Sequence, residues 1–201
     1  MIISNLLRQD HKKAINAAIE GMHFDRYIPN AVVRSLYGRY FWYSELLKAT
    51  RVIAAYHDDE FAGVLLARVD GEKPVYNSWS KRVFVGFFEF IQKIFADESA
   101  GEFDRACQHL YSDAIKSMKF DAEICFLAAN PNVRVKGVGT FLLGELTRVL
   151  AGKQIFLFTD SGCTYQFYEH RGFTLVAETT IALETNHENI PLRCMLYTKM
   201  L

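Results

Sequence analysis

The sequence has few of the residues that would place it in a specialised class of protein. Its four cysteines, Cys107, Cys125, Cys163 and Cys194, are scattered, and no two of them form a Cys-x-x-Cys pair. This spacing argues against a structural zinc site and against a disulfide framework. We therefore expect free thiols in a reducing cytoplasm and no bound metal.

Net charge and long apolar runs are also lacking. The 23 basic residues are cancelled by 23 acidic residues, so no overall field draws the chain to nucleic acid or to an anionic membrane. The longest apolar stretch, residues 82–95, is interrupted by charged and amide side chains and is too short to cross a bilayer. The N-terminus lacks the long apolar region and the cleavage site of a signal peptide. These absences predict a cytoplasmic protein without nucleic acid or membrane as a partner.

The sequence contains enough apolar residues to form a hydrophobic core. Half of its 201 residues are apolar, which is enough for a single domain over residues 1–201. Apolar periodicity predicts one helix after Asp10, another after Asn30 and two more between about residues 78 and 119. Asp10 has the position of an N-cap, and Ser99 with Glu102 that of a capping box.

The strand pattern completes the predicted fold. Residues 51–56 and 61–67 are typical of an antiparallel hairpin. Further on, the strand EICFLAA precedes a helix from about Thr140 to Leu150 and a second strand, QIFLFT. This order implies parallel pairing with a right-handed crossover. Two more strands follow, FTLVAE and LRCMLYTK, so we expect a mixed α/β fold with a central mixed sheet flanked by helices.

Gly137 and Gly139 lie where the predicted helix begins. The first N–H groups of a helix have no partners, and the positive end of its dipole lies there, so such a site suits a phosphate. Glycine lets the backbone approach the anion closely, and Arg134 and Lys136 add positive charge. A surface turn with incidental glycines is the alternative interpretation.

The common nucleotide-binding motifs fit this stretch poorly. A P-loop needs Gly-Lys-Ser/Thr, and here Thr140 follows Gly139 directly, with no lysine between them. A dinucleotide fingerprint needs a third glycine, which Leu142 replaces, and needs its glycines immediately after the strand. Asp160 has the spacing of a ribose-binding acid, so a dinucleotide oxidoreductase stays open as an alternative.

Three segments, taken in order, resemble the GNAT superfamily of acyl-CoA-dependent N-acyltransferases. They are the central strand DAEICFLAA, the pattern Arg-x-x-Gly-x-Gly that begins at Arg134, and FYEHRGF at residues 167–173, which is similar to the family's Tyr-x-x-x-Gly-Phe segment. The resemblance covers residues 121–178 and implies a cofactor-binding core there. A helical insertion at about residues 74–120 then leads into the central strand.

The resemblance implies acetyl-CoA as the acyl donor and a primary amine, on a small molecule or a peptide, as the acceptor. It also implies which residues bind the donor. The loop that binds the pyrophosphate would consist of Arg134, Val135, Lys136, Gly137, Val138, Gly139 and Thr140. The end of the central strand, Leu127 to Ala129, would bond the pantetheine arm once this strand splays from QIFLFT. Ser161 stands where many members carry an asparagine that contacts the cofactor.

Two residues are candidates for the chemistry. Tyr168 matches the family tyrosine that lies near the CoA sulfur and acts as a general acid; an interfacial tyrosine is the alternative. Glu123 resembles the strand glutamate that serves as general base, directly or through water, in the histone-acetylating branch; a solvent-facing strand residue is the alternative. No residue beside Cys163 in sequence would make it a thiolate, so we expect direct transfer.

The insertion contains a helix with Phe84, Phe87, Phe88, Ile91 and Phe95 on one broad face. This face can pack on the sheet of the domain, form a self-association surface of a homodimer, or line the acceptor pocket. We favour the pocket wall, with Phe88 as the lining residue, because the insertion leads directly into the central strand. The alternative to an N-acetyltransferase is a catalytically silent acyl-CoA-binding module that regulates a partner.

Overall fold

The structure is a computed structural model that describes residues 1–95, 101–184 and 189–201. A sheet of seven strands runs through it, with helices on both faces. The strands are β1 (Ile2–Ser4), β2 (Arg51–His57), β3 (Glu60–Val69), β4 (Ala122–Ala129), β5 (Gln154–Asp160), β6 (Thr174–Glu184) and β7 (Asn189–Met200). The helices are α1 (His11–Gly21), α2 (Phe24–Tyr27), α3 (Ala31–Lys48), α4 (Trp79–Phe95), α5 (Glu102–Ala114), α6 (Val138–Val149) and α7 (Gln166–Glu169).

The strand order in the sheet is β1-β2-β3-β4-β5-β7-β6. Neighbouring strands are antiparallel except for β4 and β5, which run parallel and are joined by α6. The predicted strand–helix–strand unit and the mixed sheet are therefore confirmed. A doubly wound dinucleotide fold needs a mostly parallel sheet, so the dinucleotide alternative does not fit this topology.

Both predicted helix starts are confirmed, since α1 begins directly after Asp10 and α3 directly after Asn30, but of these two residues only Asn30 makes a capping hydrogen bond. The side chain of Asn30 accepts hydrogen bonds from the backbone N–H groups of Val32 and Val33, at 3.0 and 3.1 Å. Asp10 precedes α1 but makes no capping hydrogen bond. Its buried carboxylate instead accepts a hydrogen bond at 3.0 Å from the hydroxyl of Tyr56, a residue of β2 that is distant in sequence. The predicted capping box at Ser99 lies outside the described residues.

The two faces of the sheet carry separate hydrophobic clusters. On one face α6 packs through Leu142 and Leu146 onto side chains of β3, β4 and β5. On the other face α1 and α3 pack onto β2 and β3, with the fully buried Trp42 of α3 in contact with Phe126 of β4. The central strands are thus covered from both sides.

A β-bulge lies in the middle of β4. Leu66 of β3 is opposite Phe126, and the next residue, Ala67, is opposite Ile124, so Cys125 has no partner on β3. Ile124 packs in the cluster of α6, whereas Phe126 packs in the cluster of α3. The bulge therefore shifts the alternation of side chains by one residue. Ile124 and Phe126 pack on opposite faces of the sheet although they are two residues apart, whereas the adjacent Cys125 and Phe126 pack on the same face.

The predicted insertion does contain two helices. The inner face of α4 packs on α3, where the ring of Phe88 stacks on Tyr40 with 4.5 Å between centroids. The outer face of α4 exposes four apolar side chains, Trp79, Val83, Phe87 and Phe90, and self-association through it stays a prediction. Among the helices that the structure describes, none has the length and apolar character needed to span a membrane.

Candidate active site

The parallel strands β4 and β5 separate soon after they meet. In the described part of the chain, their pairing is confined to Ala122 with Ile155 and Glu123 with Phe156. Beyond these pairs the strands diverge, and a cleft of about 710 Å³ opens beside them. The predicted splaying of the central strand is therefore confirmed. The remaining length of β4, through Ala129, borders this cleft.

Two helices form the walls of the cleft. From α3 come Phe41, Glu45 and Lys48, and from α5 come Phe103, Asp104, Cys107, Gln108 and Tyr111. In both helices these residues follow the three- and four-residue spacing of a single face. The floor includes Glu123, Cys125 and Phe126, which the β-bulge brings to one side of β4, together with Phe156 and Phe158 of β5.

The insertion therefore lines the cleft through α5, and the choice of Phe88 was wrong. Phe88 belongs to α4, where it stacks on Tyr40, and it is not among the residues of the cleft. The aromatic side chains of α3 cover the inner face of α4. By contrast, α5 packs its buried side chains on β6 and β7 and turns an adjacent face to the cleft.

Unpaired backbone donors mark the start of α6. Gly137, immediately before the helix, has a φ of 82°, and the first helical hydrogen bond runs from the N–H of Phe141 to its carbonyl at 2.9 Å. Among the described residues, the backbone N–H groups from Lys136 to Thr140 have no hydrogen-bond partner. These donors and the helix dipole favour an anion.

The two glycines of this loop have different structural reasons. A Cβ on Gly137 would meet nothing within 4 Å, so this position requires glycine for its positive φ. A Cβ on Gly139 would lie 2.8 Å from the ring of Phe167. Close approach of an anion was the predicted reason for glycine at position 139, but in the structure an aromatic ring from the segment FYEHRGF takes the space of a side chain there.

Arg171, a cation that was not among the predicted site residues, lies beside this loop. The guanidinium of Arg171 stacks over the ring of Phe167 at 3.9 Å and donates through Nε to the hydroxyl of Thr140 at 3.0 Å. Its Nη2 donates to the same hydroxyl. Arg171 therefore adds positive charge beside Thr140, the last residue in the run of unpaired amides. The position of Arg171 in the family segment FYEHRGF could have indicated a role in the site. Its contact with Thr140, however, depends on tertiary packing and could not be read from the sequence.

Tyr168 lines the cleft near the end of β5. Its ring makes edge contacts with Phe167 and Phe173, with centroid distances of 5.2 and 5.5 Å. No residue in the described part of the chain forms a hydrogen bond with its hydroxyl. Burial raises the pKa of this phenol well above its ordinary value, so it keeps its proton at neutral pH. Tyr168 thus contributes a protonated phenol to the residues that line the cleft.

Glu123 is also in the cleft, and it is paired. Its Oε2 lies 2.7 Å from Nη2 of Arg68, which is opposite it on β3. Burial raises the pKa of the Glu123 carboxyl, while the charge of Arg68 opposes this shift. A second pair, Lys48 and Glu45 at 3.1 Å, lines the same part of the cleft. The Glu123 carboxylate is therefore positioned by Arg68, and its pKa reflects the opposing effects of burial and of this charge.

The other predicted residues divide into three groups. Leu127 and Ala129 line the cleft, as does Gly139. Arg134, Val135, Lys136, Gly137, Val138 and Thr140 lie in or directly after the loop that precedes α6 and are not cleft residues. Ser161 does not line the cleft, and its hydroxyl accepts a hydrogen bond from the backbone N–H of Arg193 at 3.1 Å.

Asp160 and Cys163 also line the cleft, and both interact with neighbouring groups. The carboxylate of Asp160 accepts hydrogen bonds from the backbone N–H groups of Gly162 and Cys163, at 2.7 and 3.1 Å. Burial, followed by the charge of Asp160, raises the pKa of the Cys163 thiol to about 12. Cys163 is therefore protonated at neutral pH and is a poor nucleophile. The described residues include no group of His, Cys, Asp and Glu arranged to hold a metal ion.

A family model for the acetyltransferase (GNAT) family matches residues 22–173. The chain belongs to the GNAT family. The resemblance inferred from the three segments is thus confirmed, and the match also includes α3, the hairpin and the insertion of this GNAT chain. No curated protein sequence shows significant similarity to it.

Several solved structures with similar folds are described as acetyltransferases. One from Corynebacterium glutamicum, described as histone acetyltransferase HPA2 and related acetyltransferase, is 18% identical with a TM-score of 0.54, covering 96% of this chain and 93% of the other. The ribosomal-protein-alanine N-acetyltransferase from Brucella melitensis is 14% identical, with a TM-score of 0.54 and complete coverage of both chains. The polyamine N-acetyltransferase of Drosophila melanogaster is 11% identical, with a TM-score of 0.55 and coverage of 100% and 99%. At these identities the likeness shows the fold, and the expected mixed α/β architecture is confirmed.

Proposed function

We propose that this GNAT protein transfers an acetyl group from acetyl-CoA to a primary amine by direct attack. The main support for this proposal is that the cleft between β4 and β5 ends beside the unpaired amides at the start of α6. A slot for an extended thioester arm and a site for its phosphates thus lie next to each other. Two structural neighbours described as N-acetyltransferases of protein alanine and of polyamines are consistent with an amine acceptor.

The donor is bound along this arrangement. The amides of residues 136–140 donate hydrogen bonds to the pyrophosphate, and Arg134, Lys136 and Arg171 add positive charge around it. The edge of β4 from Leu127 to Ala129, which β5 leaves free, offers backbone groups to the amides of the pantetheine arm. The thioester then lies deeper in the cleft, near Tyr168.

The residues of the cleft supply the proton transfers. Glu123 takes a proton from the ammonium group of the acceptor, directly or through water, and leaves a neutral amine. The amine nitrogen attacks the thioester carbon; a C–N bond forms and the C–S bond breaks. Tyr168 gives its proton to the leaving sulfur, and the second proton of the attacking nitrogen restores Tyr168. The protonated Cys163 takes no part, so no acyl-enzyme forms.

Two measurements test this proposal together. Calorimetry gives the affinity of the chain for CoA, and release of free thiol from acetyl-CoA gives turnover across a panel of primary amines. The proposal expects CoA binding and acetylation of at least one class of amine. Binding of CoA without turnover of any amine would favour the silent regulatory module, and absence of CoA binding would contradict both functions.

A further inference from the structure

We propose that the acceptor is a primary amine with an alkyl or aromatic body and a second positive charge, and that Asp104 recognises this charge. The inference deepens the proposed function and rests on it. It concerns the part of the cleft between α3 and α5, away from the start of α6. The charges and the aromatic side chains of that part carry the argument.

The basic side chains of the cleft are already neutralised. Among the residues that the structure describes, four carboxylates line it, on Glu45, Asp104, Glu123 and Asp160, but only two cations, on Lys48 and Arg68. Lys48 lies 3.1 Å from Glu45, and Arg68 lies 2.7 Å from Glu123. Among the described residues of the cleft, no cation is left for a carboxylate or phosphate on the acceptor. A negatively charged acceptor would therefore enter against the charge of the site.

One carboxylate differs from the other three. Glu45 and Glu123 have ion-pair partners, and Asp160 accepts hydrogen bonds from two backbone N–H groups. Asp104 has no hydrogen-bond or ion-pair partner in the described part of the chain. It is exposed in the first turn of α5, on the face that continues along the cleft wall to Tyr111. This places a solvated negative charge at the edge of the cleft.

Between this charge and the proposed base, the cleft is aromatic. Phe41 and Phe126 contact each other edge-on at 5.7 Å on the α3 side, and Tyr111 and Phe156 pack at 5.0 Å on the α5 side. Such rings bury the carbon chain of an amine and tolerate a cation at their faces. A chain with an amine at one end and a cation at the other fits this order of surfaces: Glu123 at the reacting end, aromatic rings along the chain, and Asp104 at the far end.

Three sets of acceptors test the proposal. They are n-alkylamines, α,ω-diamines and ω-amino acids, compared at equal chain lengths from four to eight carbons so that the distance to Asp104 is sampled. In the unmodified chain, kcat/KM should be highest for the diamine at one or more lengths and lowest for the amino acid. Asp104→Asn should reduce the ratio of diamine to monoamine about fivefold, which is the size expected for a solvated ion pair. Asp104→Lys should reverse the order of diamine and amino acid.

Asp113→Asn is the matched control. It removes the same charge from the same helix, but Asp113 is outside the cleft and pairs with Lys116. This variant should keep the ratios of the unmodified chain. A diamine-to-monoamine ratio near one at every length, or ratios unaffected by both substitutions of Asp104, would overturn the proposal and reduce Asp104 to a favourable charge at a helix start. Either result would leave acetyl transfer itself intact, whereas loss of all turnover and of CoA binding would instead contradict the proposed function.

Discussion

Phe167 occupies the space that a side chain on residue 139 would need. A Cβ built on Gly139 would lie 2.8 Å from the ring, and the guanidinium of Arg171 covers the same ring at 3.9 Å. Arg171 in turn bonds the hydroxyl of Thr140, the third residue of α6. The first turn of α6, the ring and the guanidinium thus form one packed unit, in which a change at Gly139 is transmitted to the charged side chain beside the loop.

Gly139→Ala should therefore destabilise the protein by about 1–3 kcal/mol, as for an overpacked contact. It should also weaken CoA binding, because the ring and Arg171 must move. Denaturant unfolding and calorimetry measure the two effects. Adding Phe167→Leu to this variant should recover part of the lost stability.

Gly144→Ala is the matched control on the same helix, since a Cβ there meets nothing within 4 Å. It should stabilise the protein by up to about 1 kcal/mol, because alanine is the better helix former. Equal effects of the two substitutions would contradict the contact with Phe167.

Gly137→Asp tests the anion site at the start of α6. Gly137→Ala serves as its reference, because both variants pay the cost of a positive φ, about 1–2 kcal/mol, while only aspartate adds negative charge. We expect the aspartate variant to bind CoA at least tenfold more weakly than the alanine variant. The same CoA affinity for both folded variants would place the pyrophosphate elsewhere.

Tyr168→Phe keeps the ring and removes the hydroxyl that has no partner among the described residues. If this hydroxyl protonates the leaving sulfur, kcat should fall on the order of 10²-fold while CoA affinity changes little. Steady-state kinetics and calorimetry separate these effects. An unchanged kcat, with the chemical step shown to be rate-limiting, would assign Tyr168 to packing.

The pair of Arg68 and Glu123 predicts a shift in the pH–rate profile. The positive charge of Arg68 lowers the pKa of the Glu123 carboxyl against the effect of burial. Arg68→Gln removes this charge, so the acid limb of kcat/KM should move to higher pH. Glu123→Gln should abolish that limb.

Arg148→Gln is the control for general charge effects, because Arg148 is exposed on α6 and pairs with Glu145. Its acid limb should coincide with that of the unmodified chain. A limb that survives in Glu123→Gln would assign the base to another group.

His11 predicts a pH dependence of stability. Its Nδ1 accepts a hydrogen bond at 3.0 Å from the indole N–H of Trp42, which is fully buried, so this nitrogen carries no proton in the folded state. Burial, and then the charge of Lys81, lower the pKa of His11 below the ordinary 6.5. The unfolded chain therefore binds the proton first as pH falls. The stability that the neutral His11 contributes to the folded state is fully present above about pH 6.5 and is lost progressively as the pH falls below it.

Urea unfolding at pH 5 and pH 7 measures this contribution. His11→Ala should lower the stability at pH 7 by about 1–3 kcal/mol, since the buried indole N–H of Trp42 loses its acceptor. The same variant should show a smaller difference between the two pH values than the unmodified chain. His170→Ala, at an exposed position, should leave that difference unchanged; a full difference in His11→Ala would assign the dependence to other groups.

Several features of the fold could be predicted from the sequence because they depend on neighbours along the chain. Asn30 caps α3 through backbone groups two and three residues away. Gly137 adopts a positive φ directly before α6, and the strand–helix–strand order fixes the parallel pair. The family segments gave the place of the candidate site, since β4, α6 and the region of Tyr168 follow one another closely in sequence. Each of these features depends on neighbouring residues or on the order of consecutive elements along the chain.

The contacts that define the site were decided by tertiary structure. Periodicity showed that the insertion has more apolar surface than one contact needs, but it gave no means to choose between α4, which packs on α3, and α5, which lines the cleft. The pair of Arg68 and Glu123 joins neighbouring strands that are far apart in sequence. A helical pattern fixes which residues share a face, whereas the partner of that face depends on how all the elements bury their apolar surface together.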